Sequence, residues 1–296
     1  YSSAASDVYK RQALRLGKVK LQGSGLATFV NDRVKEGPAP KARQILTPAV
    51  FLSYKPFDKH DFSLRAFYKK TFRMPTFNDL YYADMGNSKL DPEYVTQYNL
   101  GTVYQKQWGN KLFRHFKIQA DGYYNYVKDK IIAYPKGQQF RWTMLNLGKV
   151  KIRGVDISTE TMINPWKDLF ITMKVQYTYQ KAQDYTDPSD NYYKDQIPYI
   201  PWHSGSAIAQ ASYKGWDLNY SFIYVGERYN QQENIKYNYT QPWYTSDISL
   251  SKEFKMKFGS LKASLEVNNL LSQDYDVILN YPMPKRNYRA SLTVEL

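Results

Sequence analysis

The sequence predicts an all-β protein, a transmembrane antiparallel β-barrel, from three observations. Side chains alternate between apolar and polar over long stretches, the stretches are joined by connections that are short and long in turn, and aromatic residues are abundant. From Trp216 to Tyr224 one face holds Trp216, Leu218, Tyr220, Phe222 and Tyr224, and the other begins Asp217, Asn219, Ser221. From Leu169 to Tyr179 the apolar set is Leu169, Ile171, Met173, Val175, Tyr177 and Tyr179, opposite Thr172, Lys174, Gln176 and Thr178. Period two means extended strands with two unlike faces. A soluble sandwich has the same alternation, so strand length, number and joining must separate the two.

Taken in chain order, strands are expected near 18–31, 44–55, 61–72, 95–108, 113–134, 139–164, 168–182, 203–213, 215–229, 242–255, 259–271 and 284–296. The joins at Lys55–Asp61, Trp108–Leu112, Asn164–Asp168, Tyr213–Gly215 and Lys255–Gly259 are tight, whereas 31–44, 72–95, 182–203, 229–242 and 271–284 are long. Every second connection is a turn and every other one a loop. Outer-membrane barrels combine short periplasmic turns, longer extracellular loops and strands of about ten residues or more. The join at 134–139 is shorter than its place on the loop side implies.

Composition fits the same reading. The chain has 29 Tyr, and aromatics make up 17% of it, suited to the two interface girdles where a ring body meets a polar tip. Mean hydropathy is −0.64, and no apolar run approaches the roughly 20 residues of a spanning helix. A polar lumen face accounts for that low value. With no cysteine, disulfides and thiolate chemistry are excluded. The net charge of +14 is dispersed, with neither a Gly-rich phosphate loop nor zinc-ligand spacing, so nucleic acid is not expected and the cations are assigned mainly to lumen and rim. Residues 1–17, opening with SSAASDVYKRQ after Tyr1, show no alternation and are expected to be a non-native or disordered extension, leaving 18–296 as the domain.

Four segments carry a resemblance. Lys70–Leu100 contains Phe72, Arg73, Pro75, Phe77, Leu80, Tyr81, Gly86, Asn87, Leu90, Pro92, Glu93 and Tyr98, with Gly101 following. Its prolines stop strand pairing, so it reads as a structured extracellular excursion. Asn146, Leu147 and Gly148 precede Ile152-Arg153-Gly154-Val155-Asp156; Leu265–Leu271 includes Asn268 and is followed by Tyr275; and Tyr281, Pro282, Pro284, Arg286 and Tyr288 close the chain. These runs, in this order, resemble the C-terminal β-barrel of a TonB-dependent outer-membrane receptor of the vitamin B12 and siderophore type. Lys285 stands where that family usually has Gly, and Leu296 where it usually has an aromatic residue.

The resemblance implies that the chain is a fragment holding about the last twelve strands of a 22-stranded barrel, with the plug domain and TonB box outside it. It further implies a multi-pass protein of the Gram-negative outer membrane. Its function would be energy-coupled import of a large scarce nutrient: a ferric siderophore, haem or a vitamin B12-type corrinoid. The implied partners are the TonB energy-transducing complex, outer-membrane lipid and lipopolysaccharide, and the metal-chelate or corrinoid ligand. A surface lipoprotein cap stays open, and no cofactor is implied.

Residue chemistry points away from catalysis. His60, His115 and His203 share no spacing, and His203 beside Ser204 and Ser206 is the nearest approach to a nucleophile–base pair. The acidic loop Asp184, Asp187, Asp190 and Asp195 lacks the turn glycine and terminal Glu of a calcium loop, so no metal site is expected. Ligand-binding candidates are the loop aromatics Tyr192, Tyr193, Tyr199, Trp202, Tyr229 and Tyr281 with Arg228, joined by Tyr237, Tyr239, Lys194 and Lys236. Rings with a few cations suit capture of a planar or anionic chelate. A passive porin-like channel and an outer-membrane barrel hydrolase are the alternatives.

Overall fold

In a computed structural model, residues 2–33, 43–82, 85–109, 112–136, 141–256 and 258–295 are described. In order, the strands are β1 (Ser2–Leu16), β2 (Val19–Arg33), β3 (Arg43–Tyr54), β4 (Asp61–Arg73), β5 (Glu93–Gln107), β6 (Phe113–Lys136), β7 (Arg141–Ile163), β8 (Leu169–Asp184), β9 (His203–Tyr213) and β10 (Trp216–Val225). They continue with β11 (Arg228–Tyr229), β12 (Tyr239–Thr240), β13 (Trp243–Met256), β14 (Gly259–Asn268), β15 (Asp276–Ile278), β16 (Tyr281–Pro282) and β17 (Asn287–Glu295). One short helix, α1 (Phe77–Tyr81), follows β4. Among the described residues no helix is long and apolar enough to cross a membrane, which says nothing of crossing by strands.

Thirteen strands form one sheet in the order β1 to β10, then β13, β14 and β17. Two-stranded pairs β11–β12 and β15–β16 sit inside loops. The chain divides into two compact units, one of Tyr1–Asp58, Ser63–Thr102 and Tyr123–Ile152, the other of Lys59–Phe62, Val103–Gly122 and Arg153–Leu296.

Register shows which face is which in the second unit. Leu218 lies between Ala211 of β9 and Leu250 of β13, and Leu250 in turn faces Leu265 of β14. Met173 and Tyr220 flank Ala209, so alanines of β9 fill in beside larger neighbours. One residue along, the opposite face reads Lys174 and Gln176 on β8, Asn219 and Ser221 on β10, Ser249 and Asp247 on β13, and Glu266 on β14. On β10, β13 and β14 the apolar face holds the more exposed residues, Leu218 at 43%, Leu250 at 41% and Leu265 at 64%, whereas on β8 both faces are exposed, Val175 at 43% and Phe170 at 45%. A soluble sandwich buries such a face; a barrel wall turns it to lipid. Polar groups on the other face bond one another, Ser212 to Asp217 at 2.5 Å and Asn219 to Ser249 at 3.4 Å, with Lys174 paired to Glu160 at 3.4 Å.

Aromatic residues border the apolar face at both ends. Trp216 and Tyr213 pair beside the tight turn, with the Lys252 ammonium 5.1 Å from the Trp216 ring centre. Tyr224 and Tyr244 pair at the loop end. The two rows are eight residues apart on β10, about 27 Å along the strand at the usual rise. That is the scale of the apolar band in membrane barrels.

All twelve expected strands are present, with small differences at their ends. The strand expected to run to 229 stops at Val225, because the Gly226 N–H donates to the His203 carbonyl at 2.8 Å. A Cβ at Gly226 would sit 2.6 Å from that oxygen, so the close approach requires glycine. The strand expected to reach 271 ends at Asn268, where Asn269 takes φ +49°. Residues 1–17, expected to lie outside the fold, differ more. Ser2–Leu16 is a strand that pairs with β2 along its whole length through a turn with Gly17 at φ +55°. Backbone ladder bonds along an open edge need no side-chain alternation, which is why the alternation rule missed it. The tip of the 134–139 join, 137–140, lies outside the described residues.

Candidate functional site

Two loop assemblies, one in each unit, hold the residues that the sequence singled out. In the first unit α1 begins at a capping box: Thr76 Oγ1 accepts from the Asp79 N–H at 3.2 Å, and Asp79 Oδ2 accepts from the Thr76 N–H at 2.8 Å. The same Asp79 oxygen receives Arg73 Nη1 at 3.3 Å. Arg73 Nη2 also reaches Glu93 Oε2 at 3.5 Å and the Ile131 carbonyl at 3.4 Å. Glu93 is buried, accepts from the Ile131 N–H at 3.1 Å and has Lys130 Nζ at 3.8 Å. One carboxylate thus joins β4, β5 and β6 at the base of the loop.

Higher in that loop the chain doubles back on α1. The Asn87 N–H donates to the Asp79 carbonyl at 2.8 Å, and Gly86 packs so closely that a Cβ there would lie 2.6–2.7 Å from backbone atoms of Leu80 and Tyr81. Asn87 Nδ2 donates to the Met144 carbonyl at 3.0 Å. Asn146 Oδ1 accepts from the Asp91 N–H at 2.9 Å, while its Nδ2 donates to the carbonyls of Asp91 and Asp129 at 3.0 and 2.7 Å. Pro92 beside it is fully buried. These motif residues act as brackets for backbone that no strand satisfies.

In the second unit Arg228 plays the same part. It is 2% exposed, donating through Nη2 to the carbonyls of Asp276 and Val277 at 2.8 and 3.2 Å and through Nη1 to that of Gln241 at 3.3 Å. The Tyr199 N–H donates to the Tyr229 carbonyl at 2.8 Å, and Asn234 exchanges bonds with Gln196 at 2.6 and 3.2 Å. Trp243 stacks on Tyr275 with centroids 4.5 Å apart. Burial pushes the Tyr199 phenol above its ordinary value and holds the Arg228 guanidinium below its own.

The family model for the TonB dependent receptor-like β-barrel matches residues 9–270. The chain is a member of that family. Vitamin B12 transporter BtuB of Photobacterium profundum is 27% identical over 234 residues, covering 75% of this chain and 33% of that protein. BauA, the ferric preacinetobactin receptor from Acinetobacter baumannii, superimposes with a TM-score of 0.72 at 17% identity, covering 99% of this chain and 43% of that one. The copper transporter OprC gives 0.69 at 15% identity, covering 98% and 48%. The chain therefore spans a third to a half of the length of these relatives.

Within this receptor barrel the ligand candidates do not form one group. Tyr199, Arg228 and Tyr229 are packed together, Tyr229 edge-on to Tyr239 at 5.9 Å. Tyr193 stands edge-on to Tyr185 at 5.4 Å, with Lys194 Nζ 5.2 Å from its ring centre, and Trp202 lies under Lys181 at 4.7 Å. Tyr192 is half-buried, whereas Tyr281 and Tyr237 are exposed. His203 lies on the opposite face from Ser204 and Ser206, as period two requires, and its Nδ1 is 2.8 Å from the Tyr177 hydroxyl. The loop aspartates have separate partners: Asp184 takes the Thr186 N–H, Asp187 takes Ser189, and Asp195 takes the Asn234 N–H. Among the described residues no three acidic or histidine side chains converge as metal ligands.

In the last loop the motif residues Asn268 and Arg286 bond Asn287 and the Leu270 carbonyl at 3.1 and 2.9 Å, and Pro282 lies in exposed β16. Gly148 and Gly154 lie in β7. From the sequence Asn269 reads only as part of the Leu265–Leu271 run, with no role assigned to it. Buried and at positive φ, it donates its N–H to the Asp247 carboxylate at 2.8 Å and closes a turn with Gln273 through bonds of 2.8 Å each way. Its signal was the Asn-Asn pair at a strand end, since Asn tolerates the left-handed region.

Arg228→Ala is expected to loosen both loops it joins. Three carbonyls lose their donor, at about 1–3 kcal/mol for buried groups left unsatisfied. Limited proteolysis reads this as new cleavage within 226–242 and 269–286; an unchanged pattern would count against the bracket.

Proposed function

We propose that the protein is an outer-membrane receptor that imports a large, scarce nutrient by energy-coupled transport, with residues 18–296 forming part of its barrel. One observation carries this reading: a family-matched sheet in which register sets one face apolar and the other polar. The compartment is the outer membrane of a Gram-negative cell, and the energy comes from the TonB complex. The relatives above include a vitamin B12 transporter, a ferric preacinetobactin receptor and a copper transporter. They support a metal-chelate or corrinoid cargo, with haem the third class to test. Tyr192, Tyr193, Tyr199, Trp202, Tyr229 and Tyr281 are the proposed contacts. Arg228 serves them by holding its loops, because its donors are already committed to backbone carbonyls.

Deleting the gene is expected to abolish growth when one of three sources is limiting: cobalamin, a ferric siderophore or haem. The ligand is the one whose uptake is lost. Unchanged uptake of all three would overturn the import reading.

A further inference from the structure

Charge is distributed unevenly between the long loops of the second unit and the rest of the chain. Segments 183–202, 226–242 and 269–286 hold eight aspartates and glutamates against five lysines and arginines, a net charge of −3 in a chain whose total is +14. Hydrogen bonds tie the three segments together. Arg228 of the second holds the carbonyls of Asp276 and Val277 in the third. Asn234 of the second donates its N–H to Asp195 Oδ2 at 2.9 Å and accepts from the Gln196 N–H at 2.6 Å, both in the first. A ligand that meets one of these loops therefore meets the field of all three.

The five cations are less available than their number suggests. Arg228 is buried on its carbonyls, Arg286 Nε donates to the Leu270 carbonyl at 2.9 Å, Lys285 pairs with Asp274 at 2.9 Å, and Lys194 lies over the Tyr193 ring. Lys236, exposed on its loop, is the one without such a partner among the described residues. Several carboxylates are held by neutral donors instead: Asp187 takes the Ser189 N–H, Asp195 that of Asn234, and Glu227 the Tyr239 hydroxyl. Such bonds favour the ionised form without cancelling its charge. At Asp187 the Ser189 N–H, and after it the Ser189 hydroxyl, hold the carboxyl below its ordinary value. The same loops expose apolar groups, Ile235 and Tyr237 on the second and Leu279 and Tyr281 on the third.

We propose that these loops select a cargo of zero or positive net charge with an apolar body, and repel polyanionic chelates. The proposal deepens the import reading and rests on it. Of the cargo classes above, it favours a corrinoid or a neutral or cationic ferric chelate over haem, with its two carboxylates, and over ferric triscatecholates.

The test titrates the full-length protein in detergent by calorimetry with four probes: neutral cyanocobalamin, a cationic ferric trihydroxamate, a trianionic ferric triscatecholate and haem. One of the first two is expected to bind most tightly, and binding of those alone supports the proposal equally. The variant D187N/D190N/E233Q keeps the side-chain shapes and brings the loops to zero net charge. Relative to cyanocobalamin it should strengthen triscatecholate binding about tenfold, the effect of three unit charges on a trianion about 10 Å away across one Debye length. Heat-modifiable gel mobility verifies that the variant is folded. Tighter binding of the triscatecholate or haem by wild type would overturn the proposal, as would an unchanged ratio in the variant where the anion binds. Failure of all four probes to bind would instead count against the import reading itself.

Discussion

Leu250→Arg is expected to destabilise the folded protein in a lipid bilayer by about 2–4 kcal/mol, whereas Ser249→Arg should cost less than about 1 kcal/mol. The two positions are adjacent on β13, so backbone propensity is nearly the same and only the face differs. Leu250 lies in a row with Leu218 and Leu265, all exposed and apolar. A guanidinium there must enter hydrocarbon or drag water with it. Ser249 lies between Asn219 and Glu266, where a new cation meets a polar face and a carboxylate. Urea unfolding of the full-length protein in vesicles measures both. If the costs were equal, or larger at Ser249, the assignment of faces would be reversed and the barrel reading would fail.

Glu93→Ala is expected to be the most damaging single change in the first loop assembly, by about 3–5 kcal/mol. The carboxylate is buried and serves three groups at once: Arg73, Lys130 and the Ile131 N–H. Removing it leaves a partly buried pair of cations without their counter-charge, and a buried N–H without an acceptor. Glu93→Gln keeps an acceptor for Ile131 and loses only the charge, so its cost should be smaller. The midpoint of the heat-induced shift in gel mobility reports both changes. A midpoint for Glu93→Ala within experimental error of wild type would show that the network contributes nothing.

Much of the candidate site is legible in the chain alone. Arg73, Gly86, Asn87, Pro92, Glu93 and Asn146 are marked by a family-like motif, and all six lie in one assembly. What the motif does not reveal is their role as brackets. Asn146 bonds Asp91, 55 residues away, and Arg228 bonds Asp276, 48 residues away. Such pairings have no local signature. Arg228 shows the consequence: as a loop cation it reads as a ligand contact, yet its donors are already taken by backbone carbonyls.

By itself, then, the sequence determined the class of fold, twelve strands to within a few residues, and the alternation of turns with loops. It could do so because period-two patterning and turn residues act between near neighbours in the chain. Tertiary structure alone decided that Ser2–Leu16 pairs with β2 and that Asn269 closes its turn. An edge strand pairs through backbone groups that every residue carries, and a turn closed by an asparagine side chain depends on where the strand beside it ends. Those outcomes depend on which distant segments end up side by side.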